Sequence, residues 1–173
     1  MAKASRTAVI MLSFLFAGFP ALAATVSVPD VAISNSGNGS SLMVVIDDAA
    51  GLEGADLVID YDPAALSVTD EPSVSTLTAE CLMASNLAIP GVLRVSIACA
   101  EPLSGGGALI SFPVQPQGNE IASVVGISRC NLNEEAIPCA VGHGSITIVL
   151  DTQPANRLPT PESPTVRATG SAT

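Results

Sequence analysis

The chain has no tryptophan, one tyrosine (Tyr61), one histidine (His143) and, beyond residue 23, no lysine. Each absence excludes something. Flat sugar-binding faces are usually built on exposed aromatic platforms, and three of the four phenylalanines lie in the first 19 residues, which leaves Tyr61 and Phe112. A single histidine makes a His-based metal centre or nucleophile–base pair hard to assemble. Sixteen acidic residues against four arginines (Arg94, Arg129, Arg157, Arg167) put the chain after residue 23 at about −12. Such a surface repels polyanions, so no nucleic-acid partner is expected, and an anionic membrane surface is disfavoured for the same reason.

The first 23 residues are read as an export signal. Lys3 and Arg6 precede the apolar run Ala8–Phe19, and Pro20 with Ala21-Leu22-Ala23 fits a small-residue cleavage site. The run is short for a membrane span, so no membrane insertion is expected after its removal, and the product is expected to be secreted or held at the cell surface. Residues 24–150 are long enough for one domain with a proper core. Residues 151–173, with Pro154, Pro159, Pro161 and Pro164 among Thr, Ser and Ala, have no apolar periodicity and read as an unstructured tail or linker.

Four cysteines in an exported chain point to two disulfides. Cys81 and Cys99 lie symmetrically about Pro90-Gly91, a turn between two strand-like runs, so a hairpin brings them face to face. Cys130 and Cys139 bracket the loop Asn131–Pro138. The expected pairings are therefore 81–99 and 130–139. No C-x-x-C occurs, so a zinc site is a poor alternative, and neither a metal nor a cofactor is expected.

Short β-type runs recur between turn residues, at 25–28, 31–34, 41–47, 55–61, 66–70, 74–78, 82–87, 92–99, 108–115, 122–129 and 144–150. No helical period is sustained beyond the leader. The pattern is that of an all-β sandwich. Side chains alternate across a strand. In Ala55–Tyr61, Leu57, Ile59 and Tyr61 share a core face, while Asp56, Val58 and Asp60 share the other. Asp62 caps a turn that Pro63 begins. In the run 92–99, Leu93, Val95, Ile97 and Cys99 face inward, and Arg94, Ser96 and Ala98 face outward.

The carboxylates do not form a catalytic pair. Asp60 and Asp62 sit two apart on one strand, whereas glycoside hydrolysis needs carboxylates across a cleft. Ser104-Gly105-Gly106-Gly107 lacks the nucleophile-elbow pattern, and the glycine run lacks the lysine of a phosphate loop. No calcium-loop pattern is present. The chain is therefore read as a protein without enzymatic activity. Asn38-Gly39-Ser40 is a formal glycosylation sequon.

Three stretches taken in order, "GLEGADLVIDYDPAALSV", "PGVLRVSIACAEPLSGGGALISFPV" and "GSITIV", resemble the landmarks of cohesin domains. There a Gly-rich turn leads to a strand ending Tyr-Asp-Pro-x-x-Leu. A strand after a Pro-Gly turn, a Ser-Gly-rich loop and a closing strand then follow. The resemblance covers roughly residues 26–149 and implies a nine-stranded jelly-roll β-sandwich. It also implies a non-enzymatic role, the binding of dockerin modules, which are small calcium-loaded domains of polysaccharide-degrading enzymes. Asp56 matches an acidic or polar contact position, and Gly54 stands where asparagine is common. Glu101 matches a further carboxylate, with Leu103 and Ser104 in the loop after it. The outward side chains Val58 and Asp60 complete the expected partner-binding set: Asp56, Val58, Asp60, Glu101, Leu103 and Ser104. The four cysteines and Pro113, which interrupts a strand and points to an edge or bulge, depart from the family pattern. Two other roles stay open at this point. One is a carbohydrate-binding module, disfavoured by the scarcity of aromatics; the other is a structural envelope domain without a dedicated ligand.

Overall fold

Alternation decides the architecture. Along Val92–Ala98 and Gly144–Val149 every second residue is buried, so each strand offers one face to the interior. A chain of such strands must pair two sheets face to face. The computed structural model describes residues 23–35, 39–117 and 122–149. The positions assigned to the leader, the tail and the Asn38 sequon lie outside them, apart from Ala23, Gly39 and Ser40.

The strands are β1 (Ala24–Ser27), β2 (Val31–Ser34), β3 (Ser40–Ile46), β4 (Gly54–Tyr61), β5 (Leu66–Val68), β6 (Ser73–Val74), β7 (Leu82–Ile89), β8 (Val92–Ala98), β9 (Gly107–Pro116), β10 (Ala122–Leu132), β11 (Cys139–Gly142) and β12 (Gly144–Val149). One sheet runs β11-β1-β3-β9-β5, with β6 also on β9, and the other runs β2-β12-β10-β4-β8-β7. The expected all-β sandwich is the one found. The described strands outnumber the nine of the family pattern, and β1, β2, β5, β6 and β11 among them are pieces of two to four residues.

The chain enters through both sheets. β1 pairs in parallel with β11, then residues 28–30 cross over and β2 pairs in parallel with β12. The crossing is tight: a Cβ on Gly144 would lie 2.7 Å from the carbonyl oxygens of Val28 and Pro29. Glycine is required there for lack of room.

The core is aliphatic, with Leu42, Leu57, Ile59, Leu93, Leu109, Ile127 and Ile146 fully buried around Phe112, the one buried aromatic among the described residues. Tyr61, expected with Leu57 and Ile59, is only half-buried and packs against the edge of this cluster, because β4 ends there. Its amide donates to the Gly91 carbonyl (2.9 Å). Asp62 ends the strand as expected: its Oδ1 accepts from the Ala64 amide (2.8 Å), and its carbonyl accepts from Ala65 and Leu66.

Three expectations shift. The run 74–78 leaves the sheet after Val74, because Thr78 turns inward and its hydroxyl donates to the Leu109 carbonyl (2.6 Å). Pro113 lies inside β9, a strand paired on both sides, rather than at an edge or bulge. Its carbonyl accepts from the Thr69 amide, on the side where β6 stops at Ser111 and β5 starts at Val114. In an antiparallel ladder a residue's N–H and C=O point the same way, so the donor that proline lacks falls in that gap. The third is β11, which short-range pattern did not reveal.

Both disulfides pair as the spacing requires, Cys81 with Cys99 and Cys130 with Cys139. They span sequence separations of 18 and 9, so each restricts the unfolded chain by about 3 kcal/mol. At the domain entry, Asp47 Oδ1 accepts from the Thr25 amide (2.7 Å) and the Asp48 amide (2.7 Å). The Thr25 backbone bond, with help from Asp48, holds the Asp47 carboxyl below its ordinary range.

Two outcomes are expected. Cys81→Ala with Cys99→Ala lowers the unfolding free energy by about 3 kcal/mol in urea titration. Asp47, with a native pKa lowered relative to the unfolded chain, stabilises fully above its unfolded value, and that contribution is lost as pH falls through the native value. Asp47→Asn therefore flattens the fall of the thermal midpoint below about pH 4, measured by acid titration of thermal unfolding.

Candidate partner-binding face

β4 lies between β8 and β10, paired to both along nearly its whole length. With Leu57 and Ile59 in the core, Asp56, Val58 and Asp60 must stand on the outer surface of the sheet. The pairing supplies their neighbours. Asp56 lies opposite Ser96 on β8 and Asn131 on β10; Val58 lies opposite Arg94 and Arg129; Asp60 lies opposite Val92 and Gly126. The Ser96 hydroxyl donates to Asp56 Oδ1 (2.5 Å), which fixes that carboxylate on the surface.

Arg129 reaches this face through a bulge. Up to Ile127, odd-numbered residues of β10 point inward, which would send Arg129 into the core. The pairing with β4 shifts between Ile127 and Arg129, so Ser128 and Arg129 are both exposed, and Leu132 becomes the buried partner of Ala55. A bulge re-aims side chains in this way. One slip puts Arg129 beside Val58 and turns Cys130 toward its disulfide. Further along, a Cβ on Gly126 would lie 2.8 Å from His143 Nδ1, so the exposed imidazole rests over Gly126, beside Asp60 in the ladder.

The start of β4 is tied to the turn after β10. Asn133 Oδ1 accepts from the Glu53 and Gly54 amides (2.8 and 2.9 Å), and its Nδ2 donates to the Gly51 carbonyl (2.8 Å). Asn133, Glu134 and Glu135 all have positive φ (47°, 55° and 73°), a left-handed turn that non-glycine residues rarely make. The Cys130–Cys139 bridge encloses it, and Asn131 Oδ1 accepts from the Glu135 amide (2.7 Å). The sequence marked a loop here, between Cys130 and Cys139, but not its left-handed turn, of which asparagine's tolerance of that backbone was the only trace.

The structure brings Asp56, Val58 and Asp60 together. Glu101 is exposed two residues past Cys99, at the end of β8 nearest Asp56. Leu103 and Ser104 follow in the loop after it, which is held against the segment that leads into β4. The Leu103 amide donates to Leu52, its carbonyl accepts from Gly51, and its side chain packs against the core. Ser104 is exposed beside Gly105, whose carbonyl holds the Ala49 amide. Among the described residues no group of three or more His, Cys, Asp or Glu side chains gathers to hold a metal.

No protein-family model and no curated protein matches the chain by sequence. Solved structures do match by shape. A non-cellulosomal cohesin from the archaeon Archaeoglobus fulgidus superposes with a TM-score of 0.64 at 19% identity, over 73% of this chain and 91% of its own. The fold is the cohesin fold. A type I cohesin in complex with a dockerin, from Clostridium thermocellum, superposes with a TM-score of 0.62 at 15% identity, covering 74% of this chain and 94% of that one. A cohesin module of a family 33 glycoside hydrolase from Clostridium perfringens gives 0.54 at 15% identity, covering 75% and 97%. On this cohesin fold the outward side of β4 is framed by a bulge on one flank and an asparagine-tied turn at its start.

Asn133→Ala is expected to remove three hydrogen bonds and to leave a residue less tolerant of left-handed backbone. The cost is about 2–3 kcal/mol, read by chemical denaturation, with the loss concentrated in amide protection at residues 51–54.

Proposed function

We propose that the chain is a non-catalytic protein-binding module that docks a dockerin-type partner through the outer surface of β4, β8 and β10. The observation that carries this reading is the surface itself. On a cohesin fold, the strand residues Asp56, Val58 and Asp60 stand outward on a sheet that has no covering layer among the described residues. A structural neighbour on this fold is a cohesin in complex with a dockerin. The partner expected is a calcium-loaded dockerin-like module, and Glu101 lies at the rim of the same end. Leu103 and Ser104 contribute less, since their loop is held against residues 49–52.

The setting proposed is extracellular, in cell-surface assembly or polysaccharide breakdown carried out by a bound enzyme. Two disulfides fit an exported chain. Direct sugar binding is disfavoured, because the only described aromatics are Phe112, which is buried, and Tyr61, on the core side of β4. The acidic surface favours a neutral or basic partner overall.

The test is capture from the host's secreted proteins with calcium and with a chelator, followed by affinity measurement on the recovered partner. A dockerin-bearing protein retained only with calcium is expected. Asp56→Lys is expected to weaken it by about tenfold or more, and Glu101→Lys by less. If both variants stay folded, with disulfides formed, and bind unchanged, the docking face is elsewhere. Retention of the chain on insoluble cellulose or chitin would favour the carbohydrate reading instead.

A further inference from the structure

Among the described residues the chain has two cations other than histidine, Arg94 and Arg129, against a large excess of carboxylates. They are not scattered. Both stand opposite Val58, one on each neighbouring strand, so a single apolar side chain lies between the two guanidinium-bearing positions. They line one shallow depression with Asp56, Val58 and Ser96. Both are exposed, and neither has a hydrogen-bond or ion-pair partner among the described residues, although Asp56 and Asp60 share the face. Asp56 is engaged by Ser96 instead.

We propose that Arg94 and Arg129 form a clamp for a carboxylate side chain of the protein partner, seated over Val58. The proposal rests on the docking reading for the identity of the surface and adds what the partner must present there. Three observations carry it. Two guanidinium groups flank one apolar side chain in a single depression, and neither is engaged by the carboxylates that share the face. The bulge that exposes Arg129 is the only means by which that position reaches this face, and bulges of this kind re-aim residues at working surfaces. Among the described residues no other arginine or lysine occurs, so a partner carboxylate meets guanidinium donors at this one place, which sets the partner's register as well as its affinity.

The chemistry follows from the guanidinium group. It offers planar, paired donors that match a carboxylate, and it is less strongly hydrated than an ammonium group. Exposed to water, such a pair contributes little. Covered by a partner and backed by Val58, it becomes a fixed, water-excluded contact. An Asp or Glu on an apolar background fits this arrangement, with a donor or cation of the partner placed toward Asp60. A uronic-acid sugar fits less well, because the depression has no aromatic platform.

The test needs no identified partner. The disulfide-bonded chain, labelled with nitrogen-15, is titrated with a capped alanine-rich helical peptide bearing one central Glu, and with its Gln counterpart. Saturable shifts are expected at the Arg94 and Arg129 Nε–H groups and the Val58 amide with the Glu peptide, and none with the Gln peptide. Arg94→Gln or Arg129→Gln is expected to weaken the response by roughly threefold, and the double variant to abolish it. Equal shifts with both peptides, or none at these groups, overturn the clamp. An oligogalacturonate that saturates the same arginines at lower concentration than the Glu peptide overturns the assignment to a protein carboxylate. A silent titration removes the clamp and leaves calcium-dependent capture standing, whereas failed capture with a responsive titration removes the docking reading alone.

Discussion

The two-residue period of β4 is the constraint on which the rest depends. Leu57 and Ile59 enter the core between Leu93 and Val95 of β8 and Ile127 of β10, and this leaves no choice about where Asp56, Val58 and Asp60 stand. A slip of one residue would bury two carboxylates without partners, at a cost of several kcal/mol each. The packing that builds the sandwich therefore also presents the outer surface. What stands there is constrained by alternation alone, and is free to vary in chemistry without cost to the core.

The two ends of that surface are managed differently. Where β4 begins, two disulfides, the Asn133 bonds and the left-handed turn hold the backbone in place. Where it ends, a turn capped by Asp62 and the positive-φ Gly91 (84°) of the neighbouring hairpin suffice. A protein with few aromatics and a modest aliphatic core gains from such local ties, because they reduce the freedom of the unfolded chain without adding interior volume. Charge is handled just as locally: the domain is strongly acidic, yet its two described arginines share one depression.

Much of this was legible in the residues, and the reason is local. Alternation in Ala55–Asp60 and Val92–Ala98, the Pro90-Gly91 turn, the symmetric placement of Cys81 and Cys99 and the Asp62-Pro63 stop are short-range features, and each has the structure its pattern predicts. What stayed hidden is set by partners distant in sequence. Arg129 reaches the surface because β10 slips against β4, and nothing in "GISRCNL" marks the slip. β11 exists because β1 offers it an edge more than a hundred residues upstream. The turn at Asn133–Glu135 is held by Gly51, Glu53 and Gly54, so its own residues show only that asparagine is permitted there. Pro113 reads as a defect until the gap between β6 and β5 is seen beside it.

The central claim is that β4 divides into a side that makes the fold and a side that the fold does not need. Comparing the unfolding free energies of Val58→Asp and Ile59→Asp in urea tests it most directly. The account predicts that Ile59→Asp costs at least about 4 kcal/mol or prevents folding, through a buried unpaired charge, whereas Val58→Asp stays within about 1 kcal/mol of the parent. Equal losses at the two positions would contradict it, since Val58 would then be part of the core and the surface proposed for a partner would not be free.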